Sequence, residues 1–250
     1  MKVAITGSGG FIGGHLKKRL EKEGHVVIEW DLRDGNDIKD FNLQAADYVV
    51  HLAAWADVRA SIDDPQKYWV NNVEYTTAIQ KQCFHNNVPL IYASSSCIHN
   101  WWLSPYGISK KVNEETAFDK QVGLRFTTVY GEGARDTMLI GRLTTGDIKY
   151  LTNHVRDFVH VSDVVNAIVL LMSKDIRLLK PAYDIGTGEG NVVSDLGVIA
   201  GYGNLPVNDG DACEAQDNTA DITDIKELGW EPTVDVKQYL HQICLAGIPV

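Results

Sequence analysis

Tyr106 and Lys110, in the run Tyr-Gly-Ile-Ser-Lys, stand at i and i+4 and so share one face of a helix. An unperturbed phenol, with a pKa of about 10, is protonated at neutral pH, so a tyrosine that acts as a base needs its anion stabilised. Lowering that pKa by ~3 units takes ~4 kcal/mol of favourable electrostatics, most naturally from a neighbouring ammonium and a second positive charge. Ser94, Ser95 and Ser96 follow the apolar run Pro89 to Ala93. Their hydroxyls therefore emerge at the carboxyl end of a strand, where one can bond a reacting alcohol and relay its proton to Tyr106.

The second chemical signal is Thr6-Gly7-Ser8-Gly9-Gly10-Phe11-Ile12-Gly13, directly after an apolar N-terminal run. Gly7, Gly10 and Gly13, with Phe11 and Ile12 between the last two, read as a tight strand-to-helix turn. Bare backbone there approaches a pyrophosphate, whose charge is stabilised by the free N–H groups at the helix start. The next apolar run ends at Asp31, whose carboxylate accepts hydrogen bonds from ribose hydroxyls and repels a phosphate. That favours NAD over NADP, while Arg33, two residues on, leaves NADP open. Asp37 and Ile38 are placed beside the adenine, and Leu52, Ala53 and Ala54 form a small apolar wall. Ile38 and Leu52 read equally well as plain core residues. Together the two signals imply nicotinamide redox chemistry.

The elements that must position these groups alternate in type. Short β-branched runs occur at Lys2 to Thr6, Val26 to Trp30, Tyr48 to Ala53, Pro89 to Ala93 and Leu124 to Val129, with helical stretches at Phe11 to Glu23, Gln66 to His85 and Tyr106 to Asp119. The expected fold class is α/β, a Rossmann-type doubly wound parallel sheet. After about residue 130 the rhythm loosens into Gly-containing turns, a strand at Phe158 to Val161, a helix from Asp163 to Ser173 and a strand near Tyr183 to Gly186. The reading is a cofactor domain over 1–130, with later strand contributions, and a smaller interwoven substrate lobe over 131–250.

A formal net charge of -10 disfavours nucleic acid and anionic membrane as partners. Cys83, Cys97, Cys213 and Cys244 are widely spaced, with no CxxC pair, so neither a metal site nor a disulfide framework is expected. Free thiols suit a reducing compartment. A first strand beginning at Lys2 leaves no room for a signal peptide, and no apolar run approaches the ~18 residues of a membrane span. A cytoplasmic location is expected.

Taken in order, these motifs resemble those of the extended short-chain dehydrogenases/reductases, in particular the NAD-dependent nucleotide-sugar epimerases and dehydratases. The resemblance extends through His51-Leu52-Ala53-Ala54, Asn72-Val73 with Thr76, Leu124 to Gly131, Arg156 to Val161, Tyr183 to Gly188 and Leu228-Gly229-Trp230-Glu231-Pro232. It implies Ser95 as the catalytic Ser/Thr with Ser96 beside it at the substrate, Tyr106 as base and Lys110 as its partner, the last two also touching the cofactor. It places Phe126 near the nicotinamide and Arg156 on a nucleotide diphosphate, which suits a guanidinium fork. A surface salt bridge is the other reading of Arg156. Thr128 occupies a position where the family often has an Asn contacting the sugar nucleotide. Asp163 is expected to cap the following helix, His51 and His160 to be structural, and Gly186 to Gly190 to form a substrate-lobe turn. Ser96 to Ser104 and Asp31 to His51 are shorter than usual in the family. Trp101 and Trp102 either cover a sugar or base, or pack onto that shortened loop.

The positions after Ser95 decide among reactions. The family's 4,6-dehydratases carry an Asp-Glu pair there, because eliminating water needs both a base and an acid. Here they are Ser96 and Cys97, and the Ser-rich run resembles the 4-epimerases. The implied activity is 4-epimerisation of a nucleotide-diphosphate sugar, UDP-hexose foremost, through a transient 4-keto sugar. The alternatives are a 4,6-dehydratase or 4-keto-sugar reductase on the same scaffold and, from another class, a nonenzymatic NAD-binding sensor. The resemblance also implies a homodimer formed by the helices at 66–85 and 106–119.

Overall fold

The structure is a computed structural model and describes residues 1–246. The chain opens with β1 (Lys2–Thr6), α1 (Phe11–Lys22), β2 (Val26–Trp30), β3 (Tyr48–His51), α2 (Val58–Asp63), α3 (Pro65–Tyr68), α4 (Thr76–His85), β4 (Leu90–Ser95), α5 (Pro105–Glu115) and β5 (Gln121–Phe126). It continues through β6 (Thr128–Tyr130), α6 (Leu139–Thr145), β7 (Leu151–Thr152), β8 (Val155–His160), α7 (Val161–Met172), β9 (Ala182–Ile185), β10 (Gly190–Val192), α8 (Val193–Ile199), β11 (Val207–Asn208), α9 (Thr223–Lys226) and α10 (Val236–Ala246).

A six-stranded sheet has the order β2-β1-β3-β4-β5-β9. β1 pairs in parallel with both β2 and β3, and β3 with β4. β1, β3 and β4 are apolar runs rather than alternating ones because they are buried on both faces, all of Tyr48–His51 included, whereas β2 is partly exposed. Since β1 lies between β2 and β3, the chain leaves it to one side and returns on the other. A crevice opens at such a reversal, at the carboxyl ends of the strands. Neighbouring strands lie about 4.8 Å apart, so the end of β4 is about 10 Å across the sheet from the end of β1. The shortened stretch between β2 and β3 contains only 3-10 turns at Leu32–Asp34 and Ile38–Asp40, and β2 is the sheet edge.

The chain divides into two compact units, one of Met1–Arg125 with Val165–Tyr183, the other of Phe126–Val164 with the residues from Asp184 onward. The first unit's first segment ends at Arg125, and Val165–Tyr183 returns to it with most of α7 and the start of β9. The reason lies in the apolar run Leu124 to Val129, which is not one strand but two. β5 belongs to the large sheet, whereas β6 pairs in parallel with β8 in a separate three-stranded sheet of order β10-β8-β6. The first unit's core packs Trp30, Ile38, Phe41, Ile79 and Tyr92, and the second's packs Tyr130, Leu143, Phe158, Leu196 and Leu240.

The helix expected over Gln66 to His85 is interrupted. Between α3 and α4 the backbone makes a π-helical turn over Trp69–Tyr75, a wider coil that is frequent at functional sites. Inside it the fully buried Asn72 clamps Trp55, accepting from its N–H at 2.9 Å and donating to its carbonyl at 2.8 Å.

Candidate active site

The glycine turn is built on backbone contacts that no side chain could share. Gly7 has φ +73°, and a Cβ on it would stand 2.9 Å from the Ala53 nitrogen; a Cβ on Gly13 would stand 2.0 Å from the Gly7 carbonyl oxygen. Leu52 and Ala53 therefore meet this turn through their backbone. α1 starts at Phe11 behind Gly10 with no side-chain cap and no acidic residue in its first turn. Its leading N–H groups and its dipole are available to an anion.

Asp31 is buried and anchors the turn. Its Oδ2 accepts from the Gly9 N–H and its Oδ1 from the Arg33 N–H, each at 2.9 Å. The Arg33 guanidinium folds back and donates to the Gly9 carbonyl. Ile38 is buried in the first unit's core beside Trp30 and Phe41. Asp37 caps the short turn that follows it, accepting from the Lys39 N–H at 3.0 Å, and its carbonyl receives the Trp30 indole N–H at 2.9 Å.

Tyr106 lies in the first turn of α5. Ser104 caps that helix, its Oγ accepting from the Gly107 N–H at 3.0 Å, and Pro105 follows as a helix-compatible first residue. The Tyr106 N–H, an orphan donor at this position, is satisfied by Ser61 Oγ at 3.2 Å. Gly107 admits no side chain because a Cβ would reach the Trp101 carbonyl at 2.8 Å, so the segment Ser96–Leu103 is pressed onto this turn. The Trp101 and Trp102 indoles nevertheless remain 40% and 59% exposed.

Lys110 is buried, and its Nζ donates to the Ala93 carbonyl at 2.7 Å and lies 5.8 Å from the centre of the Tyr106 ring. Burial pushes its pKa down to about 8, against the pull of Cys97 and Glu114. Ser95 and Ser96 are both buried, and Ser95 Oγ accepts from the Cys97 N–H at 3.2 Å. The turn after β1, the residues after β3 and the end of β4 thus share one sheet edge in the first unit.

His51 is fully buried, with Nδ1 2.6 Å from Thr6 Oγ1 and Nε2 2.9 Å from Thr76 Oγ1. Burial, aided by the charge of Lys110, pushes its pKa down to about 3, so it is a neutral strut at neutral pH.

A model of the "NAD dependent epimerase/dehydratase family" matches residues 3–186. The chain belongs to this family. It is 33% identical over 233 residues to the Protein CapI of Staphylococcus aureus, covering 70% of each chain. Among solved structures it is similar to MoeE5 in complex with UDP-glucose and NAD, at 28% identity and TM-score 0.87 over 98% of both chains. It is also similar to the UDP-glucuronic acid 4-epimerase from Bacillus cereus in complex with UDP-glucuronic acid and NAD, at 26% identity and TM-score 0.85 over 98% of this chain and 99% of that one.

The residues present fit the family's dinucleotide. Gly7 and Gly13 leave no room for a Cβ, so bare backbone is exposed at the start of α1, and the Asp31 carboxylate, a hydrogen-bond acceptor, is fixed beside Gly9.

Phe126, Thr128 and Arg156 belong to the second unit. Phe126 is buried, and Thr128 Oγ1 accepts from the Asn218 amide at 3.3 Å. Arg156 is held by protein acceptors, Ala215 carbonyl at 2.8 Å, Val155 carbonyl at 2.9 Å and Glu214 Oε2 at 3.0 Å. Its neighbour Asp157 is fully buried and accepts from the Thr187 and Gly188 N–H groups and the Thr187 hydroxyl, tying the late glycine turn to β8.

Asp163 differs from expectation. Because it sits inside α7 rather than before it, its carboxylate reaches across to the Thr233 and Val234 N–H groups at 3.0 and 3.1 Å instead of capping the helix. Sequence reading named Asn72 only within the family resemblance, without its role as a support, and missed Ser61. A small polar residue that is buried within a helix signals such a clamp only once its surroundings are known.

Proposed function

We propose that the protein is an NAD-dependent 4-epimerase of a nucleotide-diphosphate hexose, with a UDP-hexose as substrate. One observation carries this reading: the buried Lys110, one turn after the buried Tyr106 on α5, is tied to Ala93 on β4, the strand that ends in Ser95, and Ser95 is followed by Ser96 and Cys97 instead of the Asp-Glu pair of the 4,6-dehydratases that the chain resembles. The nucleotides and sugars bound by MoeE5 and the Bacillus cereus epimerase support the substrate class.

Bound NAD supplies reversible hydride acceptance at its nicotinamide ring. Tyr106, as phenolate, takes the proton of the sugar C4 hydroxyl, directly or through Ser95, and returns it after the hexose has presented its other face. Lys110 keeps that phenolate anionic. Lys110 Nζ lies 5.8 Å from the centre of the Tyr106 ring, and two unit charges at about that separation attract by about 3 kcal/mol at an effective dielectric of about 20. That is most of the ~4 kcal/mol needed to bring a phenol to neutral pKa. Gly7, Gly10, Phe11, Ile12, Gly13 and Asp31, with Asp37, Ile38, Leu52, Ala53, Ala54 and Phe126, hold the cofactor. Ser96 and Thr128 touch the sugar nucleotide. Arg156 holds the diphosphate by exchanging Glu214 for it, so that binding energy sits on the part that stays still.

The chain acts as a homodimer in this reading, supported by Trp69 and Phe84, 42% and 45% exposed along the 66–85 stretch. A cytoplasmic location is supported by free cysteines at positions 83, 97, 213 and 244.

The test is incubation of purified protein with UDP-glucose, UDP-galactose and their N-acetyl forms, with and without added NAD, and product analysis by NMR. The C4 epimer without net NADH is the expected result, lost in Tyr106→Phe. A keto product or net cofactor turnover would overturn it in favour of a dehydratase or reductase, and no turnover at all in favour of a sensor.

A further inference from the structure

Tyr106, Lys110 and Glu114 recur every fourth residue along α5, so they form one stripe. The stripe is joined to consecutive residues at the end of β4. Lys110 Nζ donates to the Ala93 carbonyl at 2.7 Å, Ser94 Oγ donates to Glu114 Oε1 at 2.6 Å, and Ser95 follows. Glu114, its side chain only 10% exposed, is held in turn by Arg125 on β5, whose Nη2 reaches Oε2 at 2.7 Å while Nε reaches both carboxylate oxygens at 3.0 and 3.1 Å.

We propose that Glu114 is a positioning residue for the reaction: it fixes the strand end that carries Ser95, and its negative charge balances the Lys110 ammonium. The proposal rests on the reading of Tyr106 and Lys110 as the proton-transfer pair. A buried ammonium with a carbonyl acceptor is still poorly solvated, and a carboxylate one helical turn away offsets that cost. Glu114 is locked by hydrogen bonds on both oxygens, so its charge has one place to be. Arg125, which holds both oxygens of that carboxylate, carries the opposite charge. Cys97 after β4, Tyr106 on its own helix and His51 at the end of β3 also act on Lys110 or lie beside it, and Tyr92 on β4 feels the charges of both Glu114 and Arg125.

This arrangement makes a prediction that mere bracing would not. Removing the Glu114 charge makes Lys110 easier to deprotonate, whereas removing the Arg125 charge makes it harder. The experiment is an NMR titration of lysine side chains labelled at the ε carbon in the full chain, with Lys110→Met identifying the Lys110 signal. Glu114→Gln is expected to lower its midpoint by about one pH unit, and Arg125→Gln to raise it. The alkaline limb of kcat should move in the same two directions. Unmoved midpoints, or shifts of the same sign in both variants, would overturn the proposal. Should Glu114→Gln not fold, the direction of the Arg125→Gln shift decides alone. The titration needs no turnover, so its outcome stands apart from the epimerase assay.

Discussion

Lys110→Met is the perturbation that separates catalysis from stability most cleanly. Methionine keeps the length and apolar stem of lysine while removing the charge. The ammonium lies 5.8 Å from the centre of the Tyr106 ring, and at about that separation it attracts a phenolate by about 3 kcal/mol at an effective dielectric of about 20. Its loss lowers the phenolate population at pH 7 by about 100-fold. Expected kcat falls by the same factor at pH 7 and recovers about tenfold per pH unit toward pH 9, because hydroxide then supplies the phenolate that Lys110 no longer does. Folding stability moves differently. The pKa of Lys110 falls from 10.5 to about 8 in the folded chain, so burying its ammonium costs about 3 kcal/mol. The unfolded chain binds more protons between those values, so this penalty is fully present below pH 8 and is relieved as pH rises to 10.5. Lys110→Met removes the penalty but strands the Ala93 carbonyl, at about 1–3 kcal/mol. The variant should therefore unfold in urea at pH 7 at a concentration equal to or higher than the wild type. A kcat loss below threefold, or a loss equal at pH 7 and pH 9, refutes the electrostatic role of Lys110. A loss of activity that merely tracks lost stability refutes it as well.

Gly13→Ala puts a Cβ 2.0 Å from the Gly7 carbonyl, so the cradle must deform; NAD affinity by titration calorimetry should drop at least tenfold, and unchanged affinity would exclude that turn as the phosphate site. His51, neutral in the fold with a pKa near 3 against 6.5 unfolded, contributes stability that is complete above pH 6.5 and is lost at about 1.4 kcal/mol per pH unit as pH falls toward 3. The stability difference between wild type and His51→Gln, from urea melts, should shrink across that window, and a constant difference would contradict the assignment. Asp157→Asn places an NH2 group against backbone N–H donors of Thr187, Gly188 and Ala220; it should cost about 3 kcal/mol or more in chemical denaturation, and a loss under 1 kcal/mol would show that the network is dispensable.

The first half of the fold was legible because its signals are local. The N-terminal apolar strand, the glycine turn and α1 follow one another within the first 22 residues, and each has its own chemical signature. The break between β5 and β6 was not legible. Leu124 to Val129 carries strand-forming residues on both sides of Thr127, and only pairing with different strands divides it. The short elements after residue 130 were likewise obscure, since β7 and β11 have two residues each and no period to detect. The π-helical turn over Trp69–Tyr75 reads in sequence like ordinary helix.

What the sequence determined by itself is the chemistry: a phenol and an amine one turn apart, a serine at a strand end, and a turn that only glycines can make. These follow from residue type and short-range spacing, which the covalent chain sets before it folds. Tertiary structure alone decided the environment. It buried Lys110 against Ala93, locked Glu114 between Ser94 and Arg125, turned His51 into a neutral strut and gave Arg156 to Glu214. Those outcomes depend on which distant side chains meet and how much water is excluded where they do, and charge and proton affinity respond to that exclusion more strongly than to anything written in the local sequence.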